Sequence, residues 1–437
     1  MAQIGLGELM PQASPTWLNT IPIPTNHLLL RNPGNNEGVQ SVLDFPFVNV
    51  NVDMSKYPTP LKQPPPDHPE VQKVMKEIDW SKVPDVPVRV IKDYVVDRTG
   101  YDGRADPACW WSATTCKTPK VSYLPEDIYY CPRAGDWGLN YDDGPYKKWF
   151  PVTDADKAYD QPRFYNYLLN TGNQKATLFF VGSNVIKFPD AAQRALADGH
   201  TICSHTWSHP QMTSLTNAEV VGQLYWTLRA IKEVVGITPK CWRPPYGDVD
   251  DRVRAIAWQM GMRTFLWDQD SFDWNLHGTP SGGTLGKDVV NGHFQKWIDK
   301  QMDKSVKEEH GHITLEHENS EVTIDIAEKW LPALQKSFNV IPIHQCLDEP
   351  HPYWEEQWTY PTLSNPNPKG DGSKAPLGGF SNSNDKNNKE NKNNTDKNNN
   401  NNNDDQENGS NQVTFSSMML YSLTILISFW YVMIDII

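Results

Sequence analysis

Five short runs hold the side chains that could do chemistry. Asn140-Tyr141-Asp142-Asp143-Gly144-Pro145 sets two carboxylates side by side before a Gly-Pro turn. Neighbouring carboxylates can point apart, one toward a metal and one toward a proton, although Asp-Asp-Gly-Pro is also ordinary turn chemistry. His205-Thr206-Trp207-Ser208-His209 spaces two imidazoles four apart. That spacing brings both to one face of a helical turn, where they can share a metal; capping or core histidines are the competing reading. Asp143 would complete an Asp-His-His set with an open position for water. Arg243-Pro244-Pro245-Tyr246-Gly247-Asp248 offers a guanidinium that could hold a carboxylate through two parallel hydrogen bonds. The backbone amide after it could meet a developing oxyanion, and a surface turn is the alternative. Asp268-Gln269-Asp270-Ser271-Phe272-Asp273-Trp274 and Leu315-Glu316-His317-Glu318 complete the set. A lone histidine such as His317 is more often structural, but Asp273 could fix its tautomer and raise its pKa. A zinc-protease reading of the histidine pair is weaker, because no Glu follows His205.

The elements that must position these runs are strands. Apolar strand-like segments cover 137–141, 177–181, 201–204, 240–243, 263–267, 312–316 and 338–341. Helical segments alternate with them at 190–198, 217–235 and 251–260. The first follows Pro189 and precedes Gly199, and the second repeats Val220, Val221, Leu224, Leu228 and Ile231 at three-and-four spacing. Strands alternating with helices imply parallel pairing, right-handed crossovers and a barrel-like α/β domain. Such barrels carry their chemistry at the C-terminal strand ends, which is where the five runs fall.

Taken in order, Tyr-Asp-Asp-Gly-Pro, His-Thr-Trp-Ser-His, Arg-Pro-Pro-Tyr-Gly, Asp-Ser-Phe-Asp-Trp and Leu-Glu-His resemble the five motifs of the polysaccharide deacetylases of carbohydrate esterase family 4. The wider context resembles the fungal chitin deacetylases. The likeness covers about residues 133–346 and leaves the first 130 unexplained. Asn140-Tyr141 stand where the family often has Thr-Phe or Thr-Tyr. The resemblance implies a distorted (β/α)7 barrel that removes N-acetyl groups from chitin, yielding chitosan and acetate. It implies Asp142 as catalytic base and Asp143, His205 and His209 as ligands of one divalent metal, zinc or cobalt. Arg243 would orient the base, the Tyr246 backbone amide would complete an oxyanion hole, and Asp273 would tune His317 as general acid. Trp274 and Leu315, with Tyr246, would line the sugar pocket. The motifs are shared with deacetylases of xylan and peptidoglycan, and an inactive glycan-binding wall protein is the reading from another class.

Composition bounds the remainder. The chain has 437 residues and a formal net charge of -13. Acidity without basic blocks excludes a nucleic-acid surface. Residues 1–130 read as a mostly irregular, wrapping extension, 131–348 as the catalytic domain, and 349–411 as a Pro- and Asn-rich, largely disordered linker. Residues 412–437 read as a spacer and apolar tail. The run Met418–Ile437 carries one charge, Asp435, and follows the small residues Asn408, Gly409 and Ser410. That order suits a GPI-type glycolipid anchor signal with Asn408 as attachment site, and so a monomer at the outer face of the plasma membrane or in the cell wall. A tail-anchoring helix is the alternative. Residues 1–13 have no signal-peptide character, so entry to the secretory pathway requires a signal preceding Met1. Asn393 and Asn408 sit in glycosylation sequons. Six cysteines and no CxxC pair point to disulfides in an oxidising compartment. The expected bridges are Cys109–Cys116, a local loop, and Cys131–Cys346, joining the two ends of the domain. Cys203, inside an apolar strand, is expected to be a buried thiol.

Overall fold

The computed structural model describes residues 10–11, 13–21, 52–146, 163–356, 358–366 and 368. Asn393, Asn408, the Asn-rich tract from 381 onward and the apolar tail lie outside them, whereas Tyr353, Trp358 and Tyr360, expected in the 349–411 linker, are buried in the main core, so the folded unit runs past 348. Among the described residues no helix is long and apolar enough to cross a membrane.

Strand β1 (Asp136–Asp142) is buried along its whole length. One edge pairs in parallel with β7 (His312–Leu315). The other edge is shared. Residues 136–139 pair with β8 (Asn339–Pro342), and residues 140–142 pair with β2 (Thr177–Phe180). Beyond β2 follow β3 (Thr201–Ser204), β4 (Cys241–Trp242) and β5 (Arg263–Thr264), all parallel. β6 (Gln269–Asp270) pairs with β7 at the far end. Because β5 and β6 belong to one run of chain, the two ends of the sheet meet on that run. The sheet therefore curls into a distorted (β/α)7 barrel. Ile128 fills the seam: its N–H donates to the Thr264 carbonyl at 3.0 Å, and its carbonyl accepts from Leu266 N at 2.7 Å. All seven strand regions expected from the sequence are present.

The helices form where their end signals stand. α1 (Pro189–Ala197) has Pro at its first position, whose missing N–H has no intrahelical partner to lose. α2 (Asn217–Val235) opens on a capping box between Thr216 and Glu219 and stops at Gly236, whose φ of 73° suits glycine. Its stripe of Val220, Val221, Leu224, Leu228 and Ile231 is fully buried in the main core. α3 (Asp251–Gln259) is capped by Asp250, whose side chain accepts from Val253 N.

The N-terminal residues contribute to the same core. Trp17, Leu18, Tyr57, Val71 and Val74 belong to the cluster that holds α2. Tyr57 stacks on Trp207, inside the His-x3-His run, with ring centroids 5.9 Å apart and planes 1° from parallel. Arg254 of α3 holds the segment before the barrel. Its guanidinium donates to both Asp127 oxygens, to the Cys109 carbonyl at 2.6 Å and to the Cys116 carbonyl at 2.9 Å.

Disulfides join Cys109 to Cys116 and Cys131 to Cys346. A third joins Cys203 to Cys241, so Cys203 is not a thiol. β3 and β4 are neighbouring parallel strands paired at Ser204 and Trp242, and that register sets the two Cα atoms 5.1 Å apart, within bridging range.

Arg254 and Asp127 are each only 2% exposed, so removing one partner strands a buried charge. Arg254→Met is expected to cost about 3–5 kcal/mol of stability, read from the urea denaturation midpoint. A shift corresponding to under about 1 kcal/mol, the worth of a surface pair, would contradict this account of how the segment is held.

Candidate active site

β1 delivers both carboxylates of the first run. Asp142 ends the strand, and Asp143 lies in the left-handed region at φ 78°. That backbone turn sends the two side chains to different partners. Glycine is required next, because a Cβ on Gly144 would stand 1.9 Å from Glu318 Oε1.

Asp142 faces Arg243, which is fully buried. Arg243 Nη1 donates to Asp142 Oδ1 at 2.8 Å and to Asn140 Oδ1 at 2.5 Å, while Nη2 donates to the Leu266 carbonyl at 3.0 Å. The expected pair of parallel bonds to one carboxylate is therefore not formed. The guanidinium is spread over three acceptors because it spans the inside of the barrel. Asp142 Oδ2 lies 3.9 Å from His205 Nε2.

Asp143 faces the histidines. Its Oδ1 lies 3.4 Å from His205 Nε2 and 3.1 Å from His209 Nε2. The helical-turn expectation for these histidines does not hold. β3 ends at Ser204 and α2 begins only at Asn217, so the run is a loop. Left-handed backbone at Thr206 (φ 66°) and His209 (φ 58°) folds it back and brings the rings to 5.0 Å. Gln223 of α2 holds it there, its side-chain oxygen accepting from Trp207 N and Ser208 N at 2.9 Å each. His205 Nδ1 lies 2.8 Å from the Arg243 carbonyl. A carbonyl only accepts, so Nδ1 carries a proton and Nε2 is the nitrogen that faces Asp143.

These residues fit a metal ion. Asp143 Oδ1 is buried without a hydrogen-bond partner, and the three converging donor atoms lie within 4.8 Å of one another. Burial would raise the Asp143 pKa, but the adjoining His209 and His205 outweigh it and hold the carboxyl well below its usual range. The nitrogen–oxygen donor set and the open side suit a divalent cation with a vacant position for water.

The last two runs follow β6 and β7, the strands next to β1 on its other edge. His317 Nδ1 lies 2.7 Å from Asp273 Oδ1, and His317 N donates to Asp273 Oδ2 at 2.8 Å. His317 is bridged to Asp142 across the strands, so the two sit side by side. Burial lowers the His317 pKa, but Asp273, with Asp143 and Asp142 behind it, pushes it up to about 10. Trp274 is partly exposed and its indole N–H points to Asp270 Oδ1 at 3.3 Å, while Leu315 is buried at the end of β7. The Tyr246 backbone has φ 59°, and its ring packs on His209 at 4.7 Å.

Four polar residues among those described take part without an expected role, although Asn140 and Glu318 stand inside the runs read from the sequence. Asn319 Nδ2 donates to Asp143 Oδ2 at 2.6 Å, and Asn184 Nδ2 donates to the Asp143 carbonyl at 2.9 Å. Asn140 shares Arg243, and Glu318 is buried beneath Gly144 with Tyr165 Oη donating to it at 3.2 Å. Burial and the neighbouring carboxylates keep the Glu318 pKa well above its usual value. The polar run Glu316–Asn319 at a strand end was a signal for Glu318 and Asn319; Asn184 had none.

Among the described residues two other clusters have metal-like composition. Cys109 and Cys116, beside Asp106, are joined by a disulfide and offer no thiolate. Asp268, His310 and His312 lie at the start of β7, the end opposite His317, where Asp268 Oδ2 and His312 Nδ1 already bond each other at 2.6 Å.

Residues 130–265 match the family model described as polysaccharide deacetylase. A chitin deacetylase of Amylomyces rouxii is 41% identical over 293 residues, covering 66% of this chain and 65% of that protein. Chitin deacetylase 2 of Saccharomyces cerevisiae is 31% identical over 252 residues, covering 58% of this chain and 67% of that protein. A solved chitin deacetylase from Colletotrichum lindemuthianum superposes with a TM-score of 0.42 at 23% identity, over 53% of this chain and 94% of that one. The chain belongs to the polysaccharide deacetylase family. The match takes in just under two thirds of the length of the Amylomyces relative.

Because Asn319 fixes the Asp143 oxygen that faces away from the histidines, Asn319→Ala is expected to weaken divalent-metal affinity about 10–100-fold, measured by chelator competition. Unchanged affinity in a folded variant would show that Asp143 is oriented by the backbone alone.

Proposed function

We propose that the protein hydrolyses the N-acetyl groups of chitin, a β-1,4-linked N-acetylglucosamine polymer, releasing acetate and leaving chitosan. The observation that carries this reading is one site in which Asp143, His205 and His209 converge beside the Asp142–Arg243 and Asp273–His317 pairs. The chitin deacetylases among its relatives support the choice of substrate.

Asp143, His205 and His209 would hold a divalent metal, zinc or cobalt. When bound, it would supply Lewis-acid polarisation of the acetyl carbonyl and bring the pKa of water toward about 7. The chain's own groups supply the rest. Asp142, the base, takes the proton of the attacking water. The single Arg243 bond to Oδ1 orients it and leaves Oδ2 on the histidine side. The Tyr246 backbone amide donates to the developing oxyanion. His317, protonated on both nitrogens, gives the Nε2 proton to the departing amine, while Asp273 holds Nδ1–H and stabilises the cation. Trp274 and Leu315 line the space for the sugar and the acetyl methyl.

The tail sequence after Asn408 supports a GPI-anchored, glycosylated location at the cell surface, and the three disulfides suit that compartment. Release of the full-length protein from membranes by a phosphatidylinositol-specific phospholipase tests the anchor.

Acetate release from chitin oligomers is expected to vanish on chelation and to return with zinc or cobalt. His205→Ala and Asp143→Ala should abolish activity and metal binding together. His317→Ala should cost about 10²–10⁴-fold in kcat with the metal still bound. Activity on acetylxylan or peptidoglycan but not chitin would redirect the substrate. Chitin binding without turnover under every metal would sink the enzymatic reading.

The pH profile follows from His317. Its pKa is raised, so the acid form is present below about 10 and is lost as pH rises through that value. The alkaline limb of kcat/KM is therefore expected near pH 10. In Asp273→Asn it should move down toward the ordinary histidine value of about 6.5. An alkaline limb unmoved by that substitution would exclude His317 as the acid.

A further inference from the structure

The start of β7 carries a second group of metal-binding side-chain types, separated from the catalytic set by the four residues of that strand, roughly 13 Å. Asp268 stands just before β6, on the run of chain where the two ends of the sheet meet, and His310 and His312 stand at the start of β7. One donor atom from each of the three lies within 4.8 Å of the others. The backbone of β7 holds Asp268. Its N–H donates to the Ile313 carbonyl at 3.1 Å, and its Oδ1 accepts from Ile313 N at 2.8 Å. Gly311, between the histidines, donates its N–H to the Cys131 carbonyl at 2.7 Å. Main-chain bonds thus set the three side chains before any ion arrives.

The two imidazoles are also oriented. His310 Nδ1 lies 2.7 Å from the Gly311 carbonyl, so that nitrogen carries a proton and Nε2 is the one left to meet a ligand. Tyr130 packs on the same ring at 4.5 Å. His312 has a carboxylate at each nitrogen: Asp268 Oδ2 lies 2.6 Å from Nδ1, and Glu308 Oε1 lies 3.9 Å from Nε2. Its ring proton therefore has an acceptor on either side, and the nitrogen that gives it up is free for a cation. A carboxylate behind a metal-bound imidazole fixes the tautomer and raises the basicity of the ligand. Lys300 is taken up by Glu308 at 2.6 Å, which leaves the Asp268 charge for an ion. A cavity of about 150 Å³, lined by Gln269, Lys296, Lys300, Glu308 and His312 among others, adjoins the cluster and gives an ion and its water a way in.

We propose that Asp268, His310 and His312 form a second divalent-cation site, separate from the catalytic one and structural in role. The ion takes Asp268 Oδ2, His310 Nε2 and His312 Nδ1. The proton now between Asp268 and His312 moves to His312 Nε2, where Glu308 accepts it. Two imidazoles and one carboxylate suit zinc, whereas calcium and magnesium take oxygen ligands. Bound there, the ion ties the run between β5 and β6 to the start of β7, at the seam where the barrel closes. The inference is independent of the substrate proposed above.

The test is zinc uptake by the chelator-stripped full-length protein, read by titration calorimetry and by metal analysis after desalting. The wild type is expected to hold two equivalents. His205→Ala should lose only the catalytic equivalent, His310→Ala only the second, and the double variant both. His310 is half-buried, so its truncation removes a ligand at little cost in packing. Asp268→Asn, which keeps an acceptor for Ile313 N, should lose the same equivalent as His310→Ala. Zinc is expected to raise the thermal midpoint of His205→Ala and to leave that of the double variant unmoved. Acetate release by zinc-loaded His310→Ala should match the wild type. A His205→Ala protein that holds no zinc would overturn the site, and so would a double variant that still holds one equivalent. A single equivalent in the wild type, kept in His205→Ala and lost in His310→Ala, would support this site and sink the catalytic ligand set instead.

Discussion

Two carboxylates adjacent in sequence and buried together must not face each other, and the site is organised around that constraint. The left-handed backbone at Asp143 turns it toward His205 and His209, while Asp142 stays with Arg243. Each then has compensation: a buried guanidinium for one, two imidazoles and the place for a cation for the other. Burial without such partners would protonate either carboxyl. Glu318, beneath Gly144, has no cation beside it among the described residues, and its pKa is pushed well up. The same kind of side chain thus has opposite proton affinities within one cleft, decided by which cation it meets.

Positioning depends on residues that perform no chemistry. His205 is held by the Arg243 carbonyl, so the residue whose guanidinium holds Asp142 also sets the tautomer of a histidine that faces Asp143. The loop between the histidines is held by Gln223 from α2 and stacked upon by Tyr57 from the N-terminal region. Gly247, after Tyr246, has no room for a Cβ because Trp111 Nε1 would be 2.3 Å away. The N-terminal residues therefore brace two of the loops that carry the site. A rigid second layer of this kind is what keeps catalytic groups at productive distances.

Much of this was legible in the sequence. The strand regions were readable because buried parallel strands are short apolar runs between helix signals, as in 177–181 and 201–204. The five polar runs stood out because each interrupts such a segment at its end. The ligand set Asp143, His205 and His209 and the pair Asp273–His317 were expected together, and the structure brings both into one cleft. Local chemistry alone determined these features: side-chain type, spacing and end signals do not depend on what lies across the barrel.

Tertiary structure decided what passes between strands. The Cys203–Cys241 bridge depends on the register of β3 with β4, and a strand pattern carries no register. The single Arg243–Asp142 bond, with Asn140 and Leu266 sharing the guanidinium, depends on how three strand ends converge. The loop geometry of His205 and His209 arises from left-handed backbone at Thr206 and His209, where the four-residue spacing alone suggested a helix. Asn184 reaches Asp143 from a separate element, 41 residues along the chain. Spacing in sequence describes neighbours along the chain, whereas these contacts are set by sheet register and packing, which only the closed barrel defines.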